Sequence, residues 1–105
     1  MAWLYLVGAG VLEIGWPIGL KLGWTEAGAR PLFIGFAVVC MAASGALLMM
    51  AQRVIPMGTA YAVWTGIGAV GAFTVGILAF GDSASTMRII SIALIVAGII
   101  GLKLA

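Results

Sequence analysis

Residues 31–52 read PLFIGFAVVCMAASGALLMMAQ, and this stretch decides the fold because it contains no charged side chain. A transmembrane helix needs about 20 consecutive apolar residues to cross the hydrocarbon core of a bilayer. Residues 58–80 form another stretch of this kind, again without a charge. The centre of the chain is therefore predicted to cross a membrane twice.

The flanking stretches extend this pattern in both directions. Residues 2–21 are interrupted only by Glu13, and residues 87–104 form a further apolar stretch. Backbone polar groups in lipid must be satisfied within the segment, which predicts helices. Short connections make consecutive helices antiparallel neighbours. We therefore predict an all-α membrane protein with a single four-helix transmembrane domain over residues 1–105.

The composition agrees with lipid as the solvent. Hydrophobic residues make up 65% of the 105 residues and charged residues only 8%, whereas a soluble domain has about 25% charged residues. The net charge of +2 comes without a basic cluster, which argues against a nucleic-acid partner. Histidine is absent and Cys40 is the lone cysteine, so we expect no metal site and no cofactor.

The basic residues leave the orientation in the membrane open. Lys21, Arg30 and Arg88 fall on one side of the predicted helices, and Arg53 and Lys103 on the other. The side with more Lys and Arg normally stays in the cytoplasm. Three against two is nearly balanced. The balance fits either one weakly signalled topology or insertion both ways up, which would give an antiparallel dimer.

Glu13 lies about midway through the first predicted span. A charge there costs at least about 3 kcal/mol on insertion scales. Removal from water favours the neutral form of a carboxylate, so such a residue can hold a proton at one moment and a cation at another. The alternative is a permanently protonated packing residue. Intramembrane acids are usually functional, which favours a binding site for protons and cations.

Two neighbours of Glu13 belong to the same candidate site. Pro17 lacks the N–H that would bond the Glu13 carbonyl, which predicts a helix bend at the site, although membrane helices also tolerate proline without a function. Trp16 lies on the same helix face and is predicted to donate its indole N–H to the carboxylate or to face a cation. Its alternative role is to fill space. A small-residue packing face is predicted on roughly the opposite side, formed by Gly8, Gly15 and Gly19.

The third span contributes candidate pocket residues. Tyr61, Trp64 and Gly68 share one helix face, which predicts a cavity wall with a glycine that permits bending. By spacing alone, an aromatic packing stripe is the more common case. Ser44 is a small polar residue in the second span, and a weak signal because serine often bonds its own helix.

The most specific stretch is PMGTAYAVWTGIGA at residues 56–69, together with Glu13, Trp16, Lys21 and the ending GIIGLK at residues 98–103. With these residues the chain resembles the small multidrug resistance transporters over nearly its whole length. Within that family it is most similar to the guanidinium-exporter subtype.

The resemblance implies an antiparallel, dual-topology homodimer in the bacterial inner membrane, with both Glu13 carboxylates in one cavity. It implies a proton-coupled antiporter, not an enzyme, that exports guanidinium-type cations. Trp16 and Ser44 would hold Glu13 by hydrogen bonds, and Tyr61 and Trp64 would line the pocket, with Tyr61 acting in the conformational switch.

The last span contains Gly98 and Gly101, which are predicted to pack closely against another helix, within the chain or between subunits. Their spacing misses that of GxxxG.

Proline at position 17 departs from the subtype's usual pattern. A kinked, less crowded site would admit substituted guanidines such as guanylurea or biguanides. The alternative function is a multidrug exporter of quaternary ammonium compounds, which cannot donate hydrogen bonds and need a wide aromatic pocket. A non-transporting membrane subunit is a third hypothesis, and Glu13 at mid-span argues against it.

Overall fold

The computed structural model describes residues 1–105 and contains four long helices. All four are long and apolar enough to cross a membrane, which confirms the predicted all-α membrane fold. Their ends lie within two residues of the predicted spans. The helices are α1 (Ala2–Gly23), α2 (Pro31–Ala51), α3 (Met57–Phe80) and α4 (Thr86–Leu104).

A small hairpin, which the sequence analysis did not predict, joins α1 to α2. Strands β1 (Trp24–Thr25) and β2 (Gly28–Ala29) pair antiparallel. Gly28 has a φ of +113°, in the region that favours glycine. Two-residue strands show no alternation that a sequence could reveal, so this stretch was expected only to be a loop.

Local sequence signals set several helix ends. Pro31 stands at the first position of α2, where a missing N–H costs nothing. Helix α3 ends at Phe80, and the glycine that follows, Gly81, has a left-handed φ of 70°. In the same turn the Asp82 N–H donates to the Gly76 carbonyl at 3.0 Å. Ser85 caps α4 by accepting the Arg88 N–H at 3.4 Å.

The four helices form a flat layer in the spatial order α2, α1, α3, α4. Helix α1 packs against both α2 and α3, whereas α4 packs mainly against α3. The Cα extents of 47 × 34 × 16 Å show how thin the layer is. One buried cluster packs the start of α1 against the end of α2, the start of α3 and the connection between them. Its members are Leu6, Ala51, Ile55, Ala60 and Val63.

Small residues let α1 and α2 approach closely, which confirms the predicted packing face. A Cβ added at Gly19 would lie 2.9 Å from the Ala37 Cβ, and one at Gly15 would lie 2.9 Å from the Cys40 Sγ. Gly8 faces α2 in the same way through Leu47.

Helix α4 differs from the other three because none of its residues is buried. A Cβ added at Gly98 or Gly101 would meet nothing within 4 Å. The predicted close packing at these glycines is therefore wrong for helices of the same chain, because α4 turns this face away from α3. Packing against a second copy stays a prediction.

Both helices that were predicted to bend are unbroken. Helix α1 continues through Pro17, and α3 continues through Gly68. A bend at either residue stays a prediction, and the structure gives Gly68 a close contact with the candidate site.

Candidate functional site

Glu13 lies near the middle of α1 with a half-buried side chain that rests on α3. The residue beneath it is Gly68, where an added Cβ would lie 2.5 Å from the Glu13 Cγ. Real Cβ atoms do not approach other atoms this closely, so a larger residue at position 68 would force the Glu13 side chain or the helix to shift. The contact places one carboxylate at mid-helix between two apolar helices.

Trp16 holds this carboxylate from the same helix. Its indole Nε1 donates to Glu13 Oε1, with both side chains half-buried. The structure thus contains the hydrogen bond that the three-residue spacing predicted. A hydrogen bond to an ionised carboxylate is stronger than one between neutral groups. The other oxygen, Oε2, accepts no hydrogen bond within the chain.

Ser44 corrects the sequence prediction, because its hydroxyl does not reach Glu13. The fully buried hydroxyl donates to the Ala9 carbonyl at 2.7 Å and accepts the Trp64 indole N–H at 2.8 Å. A hydroxyl has one proton to donate, and here the Ala9 carbonyl takes it. Ala9 lies one turn before Glu13, and in an α-helix its carbonyl also accepts the Glu13 N–H. Ser44 therefore contacts the α1 backbone at the carbonyl that also accepts the Glu13 N–H.

The predicted aromatic face is present on α3. The rings of Tyr61 and Trp64 have centroids 5.6 Å apart and are tilted by 49°. Trp64 is fixed by Ser44, whereas Tyr61 is 56% exposed. Trp64 of α3 is thus linked through Ser44 of α2 to the backbone of α1, whereas Tyr61 lies on the surface of the single chain.

Sequence reasoning missed a second polar cluster at the far end of α1. Lys21 Nζ lies 4.0 Å from Asp82 Oδ1 and 4.6 Å from the centre of the Phe80 ring. No spacing within α1 indicates it, because the partners of Lys21 lie at and beyond the end of α3.

The chemistry of the Glu13 site is that of a single carboxylate in apolar surroundings. Glu13 offers one carboxylate with an oxygen free, one indole donor beside it and apolar walls. No group of three His, Cys, Asp or Glu side chains lies close enough to hold a metal ion. The arrangement suits reversible binding of a proton or a small organic cation.

Four helices that are long and apolar enough to cross a membrane, with a half-buried carboxylate between α1 and α3, fit the class of small multi-pass membrane transporters. The chain belongs to the small multidrug resistance family: the family model described as "Small Multidrug Resistance protein" matches residues 1–95.

Curated relatives match over the whole chain. A protein of Yersinia pseudotuberculosis named "Guanidinium exporter" is 56% identical over 105 residues, which are 100% of this chain and 99% of that protein. Proteins of the same name from Citrobacter freundii and Escherichia coli are each 53% identical over 105 residues, 100% of this chain and 98% of the relative. Family and fold together indicate a multi-pass protein of the bacterial inner membrane.

Proposed function

We propose that this chain exports guanidinium-type cations across the membrane in exchange for protons, with Glu13 binding both. The observation that carries the proposal is the Glu13 carboxylate at mid-helix, held on one oxygen by Trp16 and pressed against Gly68. The role is transport without covalent chemistry, so Glu13 is a binding residue.

The geometry favours a planar cation with several donors. Guanidinium presents N–H groups in a fixed fork that matches a carboxylate, and it is weakly hydrated. Oε2 of Glu13 is free to accept such a donor while Trp16 keeps the carboxylate oriented. Tyr61 and Trp64 supply aromatic faces for the cation. The relatives named guanidinium exporters support the same substrate class.

A second copy completes the site in this proposal. The single chain forms a thin layer with a Cα extent of 16 Å, in which Glu13 is only half-buried and Tyr61 lies exposed. The near balance of basic residues at the two ends supports insertion in both orientations. An antiparallel homodimer would bring two Glu13 carboxylates into one cavity.

Coupling to protons follows from competition for Glu13. One carboxylate in a low-dielectric site cannot cheaply hold a proton and a cation together. Two ionised carboxylates in one cavity would also repel each other, so a site that has released its cation is stabilised by a new positive partner, either a proton or the next cation. An inward proton gradient would therefore drive the cation out.

The experiment is solid-supported membrane electrophysiology on proteoliposomes. It compares guanidinium, guanylurea, a biguanide and tetramethylammonium at matched concentrations. We expect currents with guanidinium and with at least one substituted guanidine. Currents with tetramethylammonium and none with guanidinium would favour the alternative multidrug exporter. If no cation produces a current, the remaining hypothesis is a non-transporting membrane subunit.

Orientation is tested separately by labelling. A cysteine added at the C-terminus of a Cys40→Ala variant should react with an impermeant reagent from both sides of the membrane. Labelling from one side only would contradict the dual-topology dimer and leave the role of Glu13 to the transport assay.

A further inference from the structure

A second cation-binding arrangement lies at the end of the contact between α1 and α3. The Lys21 ammonium is 4.0 Å from Asp82 Oδ1 and 4.6 Å from the centre of the Phe80 ring. The side chains of Lys21 and Asp82 remain 54% and 45% exposed. A carboxylate beside an aromatic face is a recognition site for an organic cation, and here the chain's own ammonium occupies it.

The backbone, and not Lys21, sets the position of the carboxylate. Gly81 takes a left-handed conformation, and the Asp82 N–H donates to the Gly76 carbonyl at 3.0 Å. This turn folds the Asp82 side chain back over Gly76, where an added Cβ would collide with the carboxylate. The turn that carries the Asp82 carboxylate therefore does not depend on Lys21.

Space for a ligand is present beside them. A cavity of about 160 Å³ is lined by Pro17, Ala72 and Gly76 as well as by the three residues of the cluster. Its walls come from α1 and α3, the two helices that enclose Glu13. The cavity thus provides a carboxylate, an aromatic ring and apolar walls.

The cavity also lies in line with Glu13. Glu13, Pro17 and Lys21 stand four residues apart on one stripe of α1, and the stripe spans about 12 Å along the helix axis. Opposite them, α3 presents small residues at the same spacing, Gly68 under Glu13 and Gly76 under Asp82. One seam between two helices thus joins the two carboxylates.

We propose that Asp82 and Phe80 form a second, peripheral binding site for guanidinium-type cations, in which Lys21 competes with the substrate. The proposal rests on the proposed function. A cation bound at the end of the seam displaces the Lys21 ammonium from Asp82. It then lies about 12 Å from Glu13 along the axis of α1. Lys21 then limits how tightly the peripheral site holds its substrate.

The two members of the ion pair give opposite results if the site exists. In proteoliposome flux, Lys21→Gln should lower the KM for guanidinium by about threefold, and Asp82→Asn should raise it by about threefold, the size expected of a half-exposed charge pair. The double variant should resemble Asp82→Asn. An ion pair that only fastens α1 to the turn predicts KM shifts in the same direction for both single variants. That result, or an unchanged KM in Asp82→Asn, would overturn the proposal.

Phe80 has a matched control in Phe73, whose ring lies 5.9 Å from the Arg88 guanidinium in a cation–π pair outside the cavity. Phe80→Leu should raise the KM as Asp82→Asn does, and Phe73→Leu should not. Equal effects of the two substitutions would count against an aromatic wall in the peripheral site.

Equilibrium binding separates this site from the proposed function. In a Glu13→Gln background, saturation-transfer NMR with guanidinium should show binding to the Lys21→Gln variant at least about threefold tighter than to the Lys21→Gln, Asp82→Asn variant. Equal binding by the two would overturn the peripheral site. Failure of the natural chain to transport guanidinium would instead sink the proposed function, and this binding comparison would still stand.

Discussion

The contact between α1 and α3 and the exposed helix α4 show two ways of using glycine and serine in an apolar helix. In the contact, Gly68 is covered by Glu13, and Ser44 of the adjoining α2 joins Trp64 to Ala9. On α4, Gly98 has open space around it, and Ser91 donates at 2.8 Å to the carbonyl of Met87 in its own helix.

The same residue types therefore have different consequences in the two places. Polar groups in lipid must find partners, and a serine that bonds its own helix satisfies this need without fixing anything else. A serine between helices fixes their register. The glycines and serine around Glu13 are tied to the site, whereas those of α4 are free to meet a second chain.

The largest expected effect comes from Glu13 itself. Glu13→Gln keeps the size of the side chain and an oxygen that can accept the Trp16 N–H, but it removes the charge and the exchangeable proton. Coupled guanidinium transport should fall to the background of empty proteoliposomes. In the natural chain, substrate binding measured by tryptophan fluorescence should weaken as the pH is lowered, because protons compete for the carboxylate. In the variant it should be weak at every pH.

The control is Glu26→Gln, since Glu26 lies exposed in the hairpin turn between β1 and β2. This substitution makes the same change of charge and should leave transport intact. Uphill guanidinium transport by Glu13→Gln would refute the mechanism.

A methyl group at position 68 is the next largest change. Gly68→Ala places a Cβ 2.5 Å from the Glu13 Cγ, so the side chain or the helix must shift. Overpacking of this kind costs about 1–3 kcal/mol, and because the strain falls on Glu13 we expect kcat/KM for guanidinium to fall by about fivefold or more. The flux assay measures it. Gly35→Ala adds the same methyl group to open space on α2 and should change kcat/KM little. Equal losses in the two variants would show that packing at Glu13 is not special.

Most of the fold could be predicted from the sequence because the solvent dictates it. A long uncharged stretch is stable in lipid as a helix, and the few charged residues of the chain mark where the stretches end. The order of the helices in space could not be predicted. The order depends on which small residues of one helix face a neighbouring helix, as in the contact of Gly19 with Ala37. The hydropathy of a stretch does not indicate which helix lies beside it.

The candidate site was predictable to the extent that its residues share a helix. The bond from Trp16 to Glu13 follows from a spacing of three residues. The partners of Ser44 lie on two other helices, and no spacing within α2 reveals them. The pairing of Lys21 with Asp82 likewise depends on how α1 and α3 pack.

Helix α4 provides the next test. Gly98→Leu with Gly101→Leu fills a face that is open in the single chain. If a second copy packs there, close helix contact is lost and the dimer dissociation constant in detergent should rise by about tenfold, as expected for an overpacked contact. Cross-linking across a dilution series measures it. A dimer fraction equal to that of Leu94→Val, a milder change on the same exposed helix, would assign the dimer contact to another surface.

The smallest expected effect comes from the buried hydroxyl that does not touch Glu13. Ser44→Ala leaves the Trp64 indole N–H without its acceptor, while the Ala9 carbonyl keeps its bond to the N–H of Glu13. Hydrogen bonds between membrane helices contribute about 0.6 kcal/mol on average, which corresponds to about a threefold change. The KM for guanidinium should rise by that factor, and the tryptophan emission should shift because Trp64 is no longer held. Ser91→Ala removes a hydroxyl that bonds only its own helix, and it should change neither quantity. Equal effects of the two substitutions would mean that bonding between helices gives Ser44 no particular influence on the site. A much larger effect of Ser44→Ala, close to that of Gly68→Ala, would mean that the hydroxyl reaches Glu13 directly during transport, as the family resemblance implies.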